Sequence, residues 1–401
     1  MRSFHLHPIG ASSPENIYCQ GTQLAWEHNY ITFFDVEPIN LAKFHPTFDK
    51  IRYDLALDIH QRRNTTNIGY VVTSEHDSDN VKELCSIYGW RPLYYFFWGW
   101  AALDWYRGYD LTFLIEAPEA RTITHTFLAP NRITGGARSH RLELLYYIFK
   151  RGLTDNYISC PAVCPGELQQ IELQLEPLTQ LYPDIQQVFA AQNLPLNMPG
   201  ETDHPMHSCW LSLFREAESS LLYLVSETVA TGRRHQLTEK TFKPICLRMP
   251  FILHSTQGSL EYLRSYGFQT FDTIWDESYD LISNDQERIL AIAELLTWLD
   301  ALTQEQQQEL YIKSLPIIEY NYQHFYSGAF KLSLELNIPI APILILNTNE
   351  RLHYSSIFSL NPGISSVKYI SLIYPDNYAN AEEMKADIFN IMLTELVEKV
   401  Y

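Results

Sequence analysis

Ser220-Leu221-Leu222-Tyr223-Leu224-Val225-Ser226, a polar loop with Arg233, Arg234 and His235, then Leu237-Thr238-Glu239-Lys240-Thr241-Phe242-Lys243-Pro244-Ile245, and finally Pro250-Phe251-Ile252-Leu253-His254 follow one another in the chain. The first run is short and apolar and reads as a buried strand; the last is the next strand, and Glu239 to Leu247 between them reads as a helix. In an open α/β sheet this is the edge where ligands bind, at the carboxyl ends of the strands. A helix starting there turns unpaired N–H groups and a positive dipole end toward an anion. Thr238 is the predicted N-cap. Glu239 is stabilised beside the dipole, whereas Lys240 and Lys243 stand against it, so two lysines here point to an anion that compensates them. The structural alternative is a solvated helix face carrying Glu239 and Lys243 as an i,i+4 pair.

The same alternation extends on both sides. Ile68 to Ser74 reads as a strand, Asp77 or Ser78 as the cap of a helix from Asn80 to Tyr88, and Pro92 to Phe97 as another strand, with Leu111 to Glu116 repeating the pattern. From Ile123 a strand leads into the loop Pro130-Asn131-Arg132-Ile133-Thr134-Gly135-Gly136-Ala137-Arg138. Ser139 then caps a helix, His140 to Arg151, with Leu142, Leu144, Leu145, Ile148 and Phe149 on its inner face. Gly152 ends that helix, and Tyr157 to Ser159 reads as a strand. Such alternation predicts an α/β protein with a largely parallel sheet. Pro161 to Pro205, rich in Gln, Leu and Pro, reads as a connecting excursion. Helices are predicted at Gly258 to Tyr266, Asp285 to Leu302, Gln304 to Phe325 and Ala381 to Val400, with an apolar run at Ile338 to Leu346. Because 401 residues exceed what one core usually holds, two domains are expected, residues 1–122 and 123–330, with 331–401 as a C-terminal extension.

Composition narrows the function. Hydrophobic residues at 46% and charged residues at 19% describe a folded chain. A formal net charge of -18 without a basic tract repels duplex nucleic acid. The small cluster Arg138, His140 and Arg141 suits one compact phosphate. The N-terminal residues lack the apolar run of a secretory signal, and Pro92 to Leu103 is too short to span a bilayer, so a cytoplasmic chain is expected. Six scattered cysteines read as free thiols; Cys160 and Cys164 with His204 and His207 fit no standard zinc spacing and read as ordinary buried positions.

Val225-Ser226-Glu227-Thr228 together with Leu237-Thr238-Glu239-Lys240 resembles the donor-binding signature of the alpha-1,3-fucosyltransferases, a Phe-Glu-Asn-Ser type strand end followed by Ile-Thr-Glu-Lys. Thr228 stands where that family has Asn, and Lys243-Pro244 where it has Asn-Ala. The resemblance spans roughly residues 123 to 280. It implies a GT-B fold of two Rossmann-like domains and an inverting transfer of sugar from a nucleotide-diphosphate donor, GDP- or UDP-linked, to a hydroxyl acceptor. It further implies that Glu239 binds the ribose, that Lys240 binds the diphosphate, and that Asn131 lies in a loop before a helix whose Arg141, or alternatively Arg138, contacts phosphate. Glu227, Thr238 and Lys243 complete the implied donor site, with no obligatory cofactor and no divalent metal. The chain also looks like a looser group of bacterial and phage proteins sharing Thr-Glu-Lys-Thr-Phe-Lys-Pro and Asp-Glu-Ser-Tyr-Asp.

An inverting transfer needs a general base, and Glu75, with His76 beside it just past a strand, is the candidate, Asp104 its rival. Trp98, Trp100 and Trp105 are the rings placed to reach an acceptor. Asp276 to Asp280 reads as a polar turn capping the next helix, with a ligand-facing role as the alternative. Two other functions stand beside transfer: a non-catalytic nucleotide-sugar binder, and another nucleotide-dependent transferase, for which no Walker-type loop is present. Whether the C-terminal extension makes a homodimer is open.

Overall fold

A computed structural model of the chain describes residues 3–5, 31–35, 69–89, 91–94, 118–134, 138–163, 182–199, 201, 211–346 and 366–397. The strand–helix alternation produces a mixed α/β protein with two parallel four-stranded sheets among these residues. In the first sheet β1 (Ser3–His5), β2 (Ile31–Asp35), β3 (Gly69–Thr73) and β4 (Arg91–Tyr94) lie side by side in chain order. Helix α1 (Asp79–Tyr88) links β3 to β4. The Ser78 hydroxyl starts it by accepting from Val81 N at 3.3 Å, and Gly89 stops it at φ 65°, donating to the Cys85 carbonyl. Among the described residues β4 is an edge strand, a position that tolerates Pro92. The predicted continuation to Phe97 and the run Leu111 to Glu116 lie outside the described residues.

The second sheet has the order β6-β5-β7-β8, from β5 (His125–Ala129), β6 (Tyr157–Ile158), β7 (Ser220–Ser226) and β8 (Phe251–His254). Every residue of β7 and β8 is buried, as expected of strands covered on both faces. Helix α2 (His140–Lys150) follows β5, α3 (Tyr182–Ala190) and α4 (Phe214–Ser219) precede β7, α5 (Glu239–Cys246) joins β7 to β8, and α6 (Ser259–Ser265) follows β8. Helix α7 (Asp285–Asp300) lies against β5, β8 and α2.

Three expectations are corrected here. Ser139 does occupy the N-cap position of α2, but its backbone is already helical and its hydroxyl makes no capping bond. Helix α3 interrupts the stretch read as an irregular excursion: Ile185 and Phe189, one turn apart, are its buried face, and Phe149 of α2 meets Phe189 edge-on at 5.6 Å. Two apolar positions are too few to register as a helical period. With α3 on one side and α7 on another, α2 buries all but Tyr147 and Lys150, including the polar His140, Arg141 and Glu143. The third difference is α8 (Gln304–Leu336), which continues past Phe325 as one helix with Pro316 inside it.

Contacts divide the chain so that the described residues through Ile318, with both sheets, form one compact unit, and those from Glu319 onward form a second. In the second unit β9 (Ile343–Leu346) pairs antiparallel with β10 (Ser366–Tyr369), and helix α9 (Ala381–Val397) carries Met384 and Ile388 into a core with Ile373. Among the described residues no helix is long and apolar enough to cross a membrane.

Candidate functional site

From β5 the chain runs through α2 to β6 on one side, while β7 and β8 lie on the other. The loops leaving β5 and β7 therefore diverge, and the point between them is where parallel α/β sheets open a crevice at their carboxyl ends. Asn131 follows β5 there, His140 and Arg141 open α2, Glu227 and Thr228 follow β7, and Thr238 to Lys243 begin α5.

Glu227 is fully buried and holds the group together. Its Oε1 accepts from Thr238 N at 2.9 Å and Thr241 Oγ1 at 2.6 Å; its Oε2 accepts from Thr228 N at 3.0 Å and Thr238 Oγ1 at 2.6 Å. Its carbonyl accepts from His140 Nε2 and Arg141 Nη2, each at 3.0 Å, and its N–H donates to the His254 carbonyl at 3.0 Å. Named in the sequence reading as a donor-contacting residue, Glu227 has its carboxylate occupied by four groups of the chain itself, so its action is to position α5. Burial, reinforced by Arg141, brings the His140 imidazole down to about 3. The ring is thus neutral and carries its proton on Nε2, since it faces a carbonyl.

Arg141 is buried, and its Nη1 also donates to the Ile133 carbonyl at 2.9 Å, so one guanidinium spans the two diverging loops. Arg138 is half-buried just before α2. Asn131 is buried; its N–H donates to Ser159 Oγ at 2.8 Å and its Nδ2 to the Ala129 carbonyl, while Oδ1 has no partner among the described residues.

Thr238 caps α5 from an extended backbone, its Oγ1 accepting from Lys240 N at 3.4 Å. Lys240 Nζ lies 2.6 Å from Glu239 Oε1, 3.2 Å from Thr228 Oγ1 and 3.4 Å from Thr238 Oγ1. Burial would raise the Glu239 carboxyl, but the ammonium groups of Lys240 and Lys243 outweigh it and hold it at about 2. The ion pair joins neighbours, Glu239 and Lys240, while Lys243, on the buried side of α5, acts on Glu239 through its charge. The first turn of α5 is thereby an ionised carboxylate beside two cations and a helix N-terminus.

Glu75, expected as the base, is instead enclosed: its side chain has no exposure, and Oε1 accepts from Ser78 Oγ at 2.6 Å and pairs with Arg234 Nη1 at 3.2 Å. The backbones of His76 and His235 exchange two hydrogen bonds at 2.8 and 2.7 Å, stapling the loop after β3 to the loop after β7. In the Asp276 to Asp280 turn, Asp276 caps Ser278, Glu277 accepts from Phe271 N at 2.8 Å, and Asp280 accepts from Leu260 N at 3.1 Å. Helix α7 is capped by Asn284, not by this turn. Asp104, Trp98, Trp100, Trp105, Cys164, His204 and His207 lie outside the described residues, and Cys160 is buried.

The chain matches no protein-family model, no curated protein and no solved structure.

Behind the site lies a buried polar group that sequence reasoning passed over: His140, Glu143, His254 and Arg288. The rings of His140 and His254 are 5.2 Å apart, and Glu143 Oε1 and His254 Nε2 have no hydrogen-bond partner among the described residues. Burial, with Asp285 adding to it, pushes the Glu143 carboxyl up to about 8 despite Arg288. The unfolded chain ionises this group near its ordinary 4.5, so between there and about 8 the folded state binds the extra proton and its stability falls as pH rises. Glu143→Gln is expected to remove that decline and to be about 1–3 kcal/mol more stable than wild type at pH 8, with no gain below pH 4.5. Urea denaturation of both proteins across this range reads the difference, and parallel pH profiles would refute it.

Proposed function

We propose that the protein is a glycosyltransferase that moves a sugar from a nucleotide-diphosphate donor to a hydroxyl acceptor, its two parallel sheets serving as the two Rossmann-like domains of a GT-B enzyme. The observation that carries this reading is the first turn of α5, where ionised Glu239 and Lys240 sit beside a capped helix N-terminus at the switch point of a parallel sheet. Lys240 and the positive end of the α5 dipole face the diphosphate, and Glu239 accepts from the ribose hydroxyls. As the sugar C1–O bond breaks, its electron pair passes to the diphosphate, and the fixed ammonium and helix dipole stabilise the charge that develops there. Glu227 supplies the rigidity this requires, because both the cap hydroxyl and the cap N–H of Thr238 are bound to it.

Thermal unfolding with nucleoside diphosphates and nucleotide-sugars tests the reading. A base-selective rise in melting temperature is expected in wild type, equivalent to about 2.7 kcal/mol at a hundredfold excess over Kd, and its loss in Lys240→Ala. No rise with any of them in wild type would sink the proposal. The enclosure of Glu75 favours a second reading, a nucleotide-sugar binder without transfer. Donor binding with no release of free nucleotide in the presence of hydroxyl acceptors selects that alternative.

A further inference from the structure

The loop after β3, the loop after β7, α6 and the segment around Leu281 to Asp285 enclose a crevice of about 750 Å³. One wall is a tier of rings. Tyr262 stacks with His235 at 5.2 Å and 16° and with His76 at 5.5 Å and 25°, and Tyr94 lies 4.8 Å from His76. Gly258, at φ 77°, permits the close approach of His235, whose Cε1 would lie 3.2 Å from a β-carbon at that position.

The charges on the lining are largely spent on one another. Arg233 binds Asp77 Oδ2 through Nε at 3.3 Å and Nη2 at 3.2 Å; Arg234 is paired with Glu75; Asp285 is paired with Arg288 and accepts from Gly232 N. An anionic ligand would thus meet guanidiniums already neutralised, alongside Asp77, Glu261 and Asp285. Left with no hydrogen bond from their side chains among the described residues are Glu261 and Ser283. This set is rich in acceptors. It calls for a neutral ligand that donates several hydroxyl hydrogens and also presents C–H surface to rings, which is the chemistry of a pyranose. The volume is in the usual range for a small-molecule site, roughly 300–1,000 Å³.

We propose that this crevice binds a pyranose sugar, with Glu261 and Ser283 receiving its hydroxyls and the ring tier of Tyr262, His76 and His235 lying against its C–H surface. That the sugar is the hydroxyl acceptor rests on the transferase reading; its binding does not. The loop 231–238 carries both His235 of the crevice and Thr238 of the α5 cap, so one backbone segment sets the two sites.

Saturation-transfer NMR of the full chain with the methyl pyranosides of glucose, galactose, mannose and N-acetylglucosamine, without nucleotide, tests this directly. Transfer to at least one glycoside is expected in wild type, weakened roughly tenfold in affinity in Glu261→Gln, whose exposed position leaves the fold intact. Ser283→Ala should weaken the same glycoside. Melting shifts with GDP and UDP are recorded in parallel and should be equal in wild type and both variants. No transfer from any glycoside, or transfer that both variants leave unchanged, overturns the proposal, as does saturation of spermidine in place of every glycoside. Glycoside failure with a retained nucleotide shift removes the crevice and leaves the transferase reading standing; glycoside binding with no nucleotide shift does the reverse.

Discussion

Replacing Glu227 with alanine is expected to destabilise the fold by about 3–5 kcal/mol, because it strands donors that have no other acceptor. Four groups converge on the carboxylate, and two of them, Thr228 N and Thr238 N, are backbone N–H groups that cannot rotate away. The hydroxyls of Thr238 and Thr241 can turn, so they recover part of their loss. Glu227→Gln keeps the shape but sets an NH₂ against donors on one of its two sides, so it should retain a cost of at least about 2 kcal/mol. Equilibrium urea denaturation measures both. A cost below about 1 kcal/mol for the alanine variant would show that α5 is fixed by something other than this carboxylate. Nucleotide binding should fall with it, since the Thr238 cap and the Lys240 ammonium, which lies against the Thr228 and Thr238 hydroxyls, share that frame.

The segment that holds this frame was legible in the sequence because its signals are local. Leu221 to Val225 is an unbroken apolar run between two serines, Thr238 is a good cap immediately before a helical stretch, and the strand at Phe251 follows a proline. What was not legible depends on partners distant in the chain. An acidic residue past a strand end reads as solvated, and nothing near Glu75 reveals that its guanidinium partner is Arg234, 159 positions away. Local rules also fail where burial overrides them: the alternative reading pairs Glu239 with Lys243 on a solvated face, but Lys243 lies on the buried side of α5 and the adjacent Lys240 makes the ion pair. The switch point itself follows from β6 pairing on the far side of β5, and a two-residue strand carries almost no periodicity from which to infer that order. One signal of the buried polar group was available and unused, a cation at Arg288 directly beside Ile289 and one turn before Ile292 on the apolar face of α7.

Arg288→Met should destabilise the protein by about 3–5 kcal/mol, since the side chain is 1% exposed and all three of its nitrogens donate. Nε donates to the Ser255 carbonyl at 2.9 Å, Nη1 to Ile282 at 2.7 Å and Nη2 to Ala230 at 2.7 Å, with Asp285 as the ion-pair partner. A methionine fills most of the volume yet leaves the Ser255, Ala230 and Ile282 carbonyls and Asp285 Oδ1 without this donor. Lysine restores charge but has one nitrogen for three divergent acceptors, so Arg288→Lys should recover less than half the loss. The cation also opposes the burial that raises Glu143, so removing it makes ionised Glu143 costlier still. The double variant Arg288→Met with Glu143→Gln should therefore be more stable than the sum of the single changes predicts, by about 1 kcal/mol at pH 9.5, where wild-type Glu143 is ionised, and by much less at pH 8, where the carboxyl can keep its proton. Strict additivity at the higher pH would mean the two groups do not communicate. Because Ala230 and Ser255 begin the loops that lead to the α5 cap and to the crevice, hydrogen exchange across residues 229–238 and 255–260 should rise together in Arg288→Met. A rise confined to one of the two segments would separate the loops that the guanidinium is argued to couple.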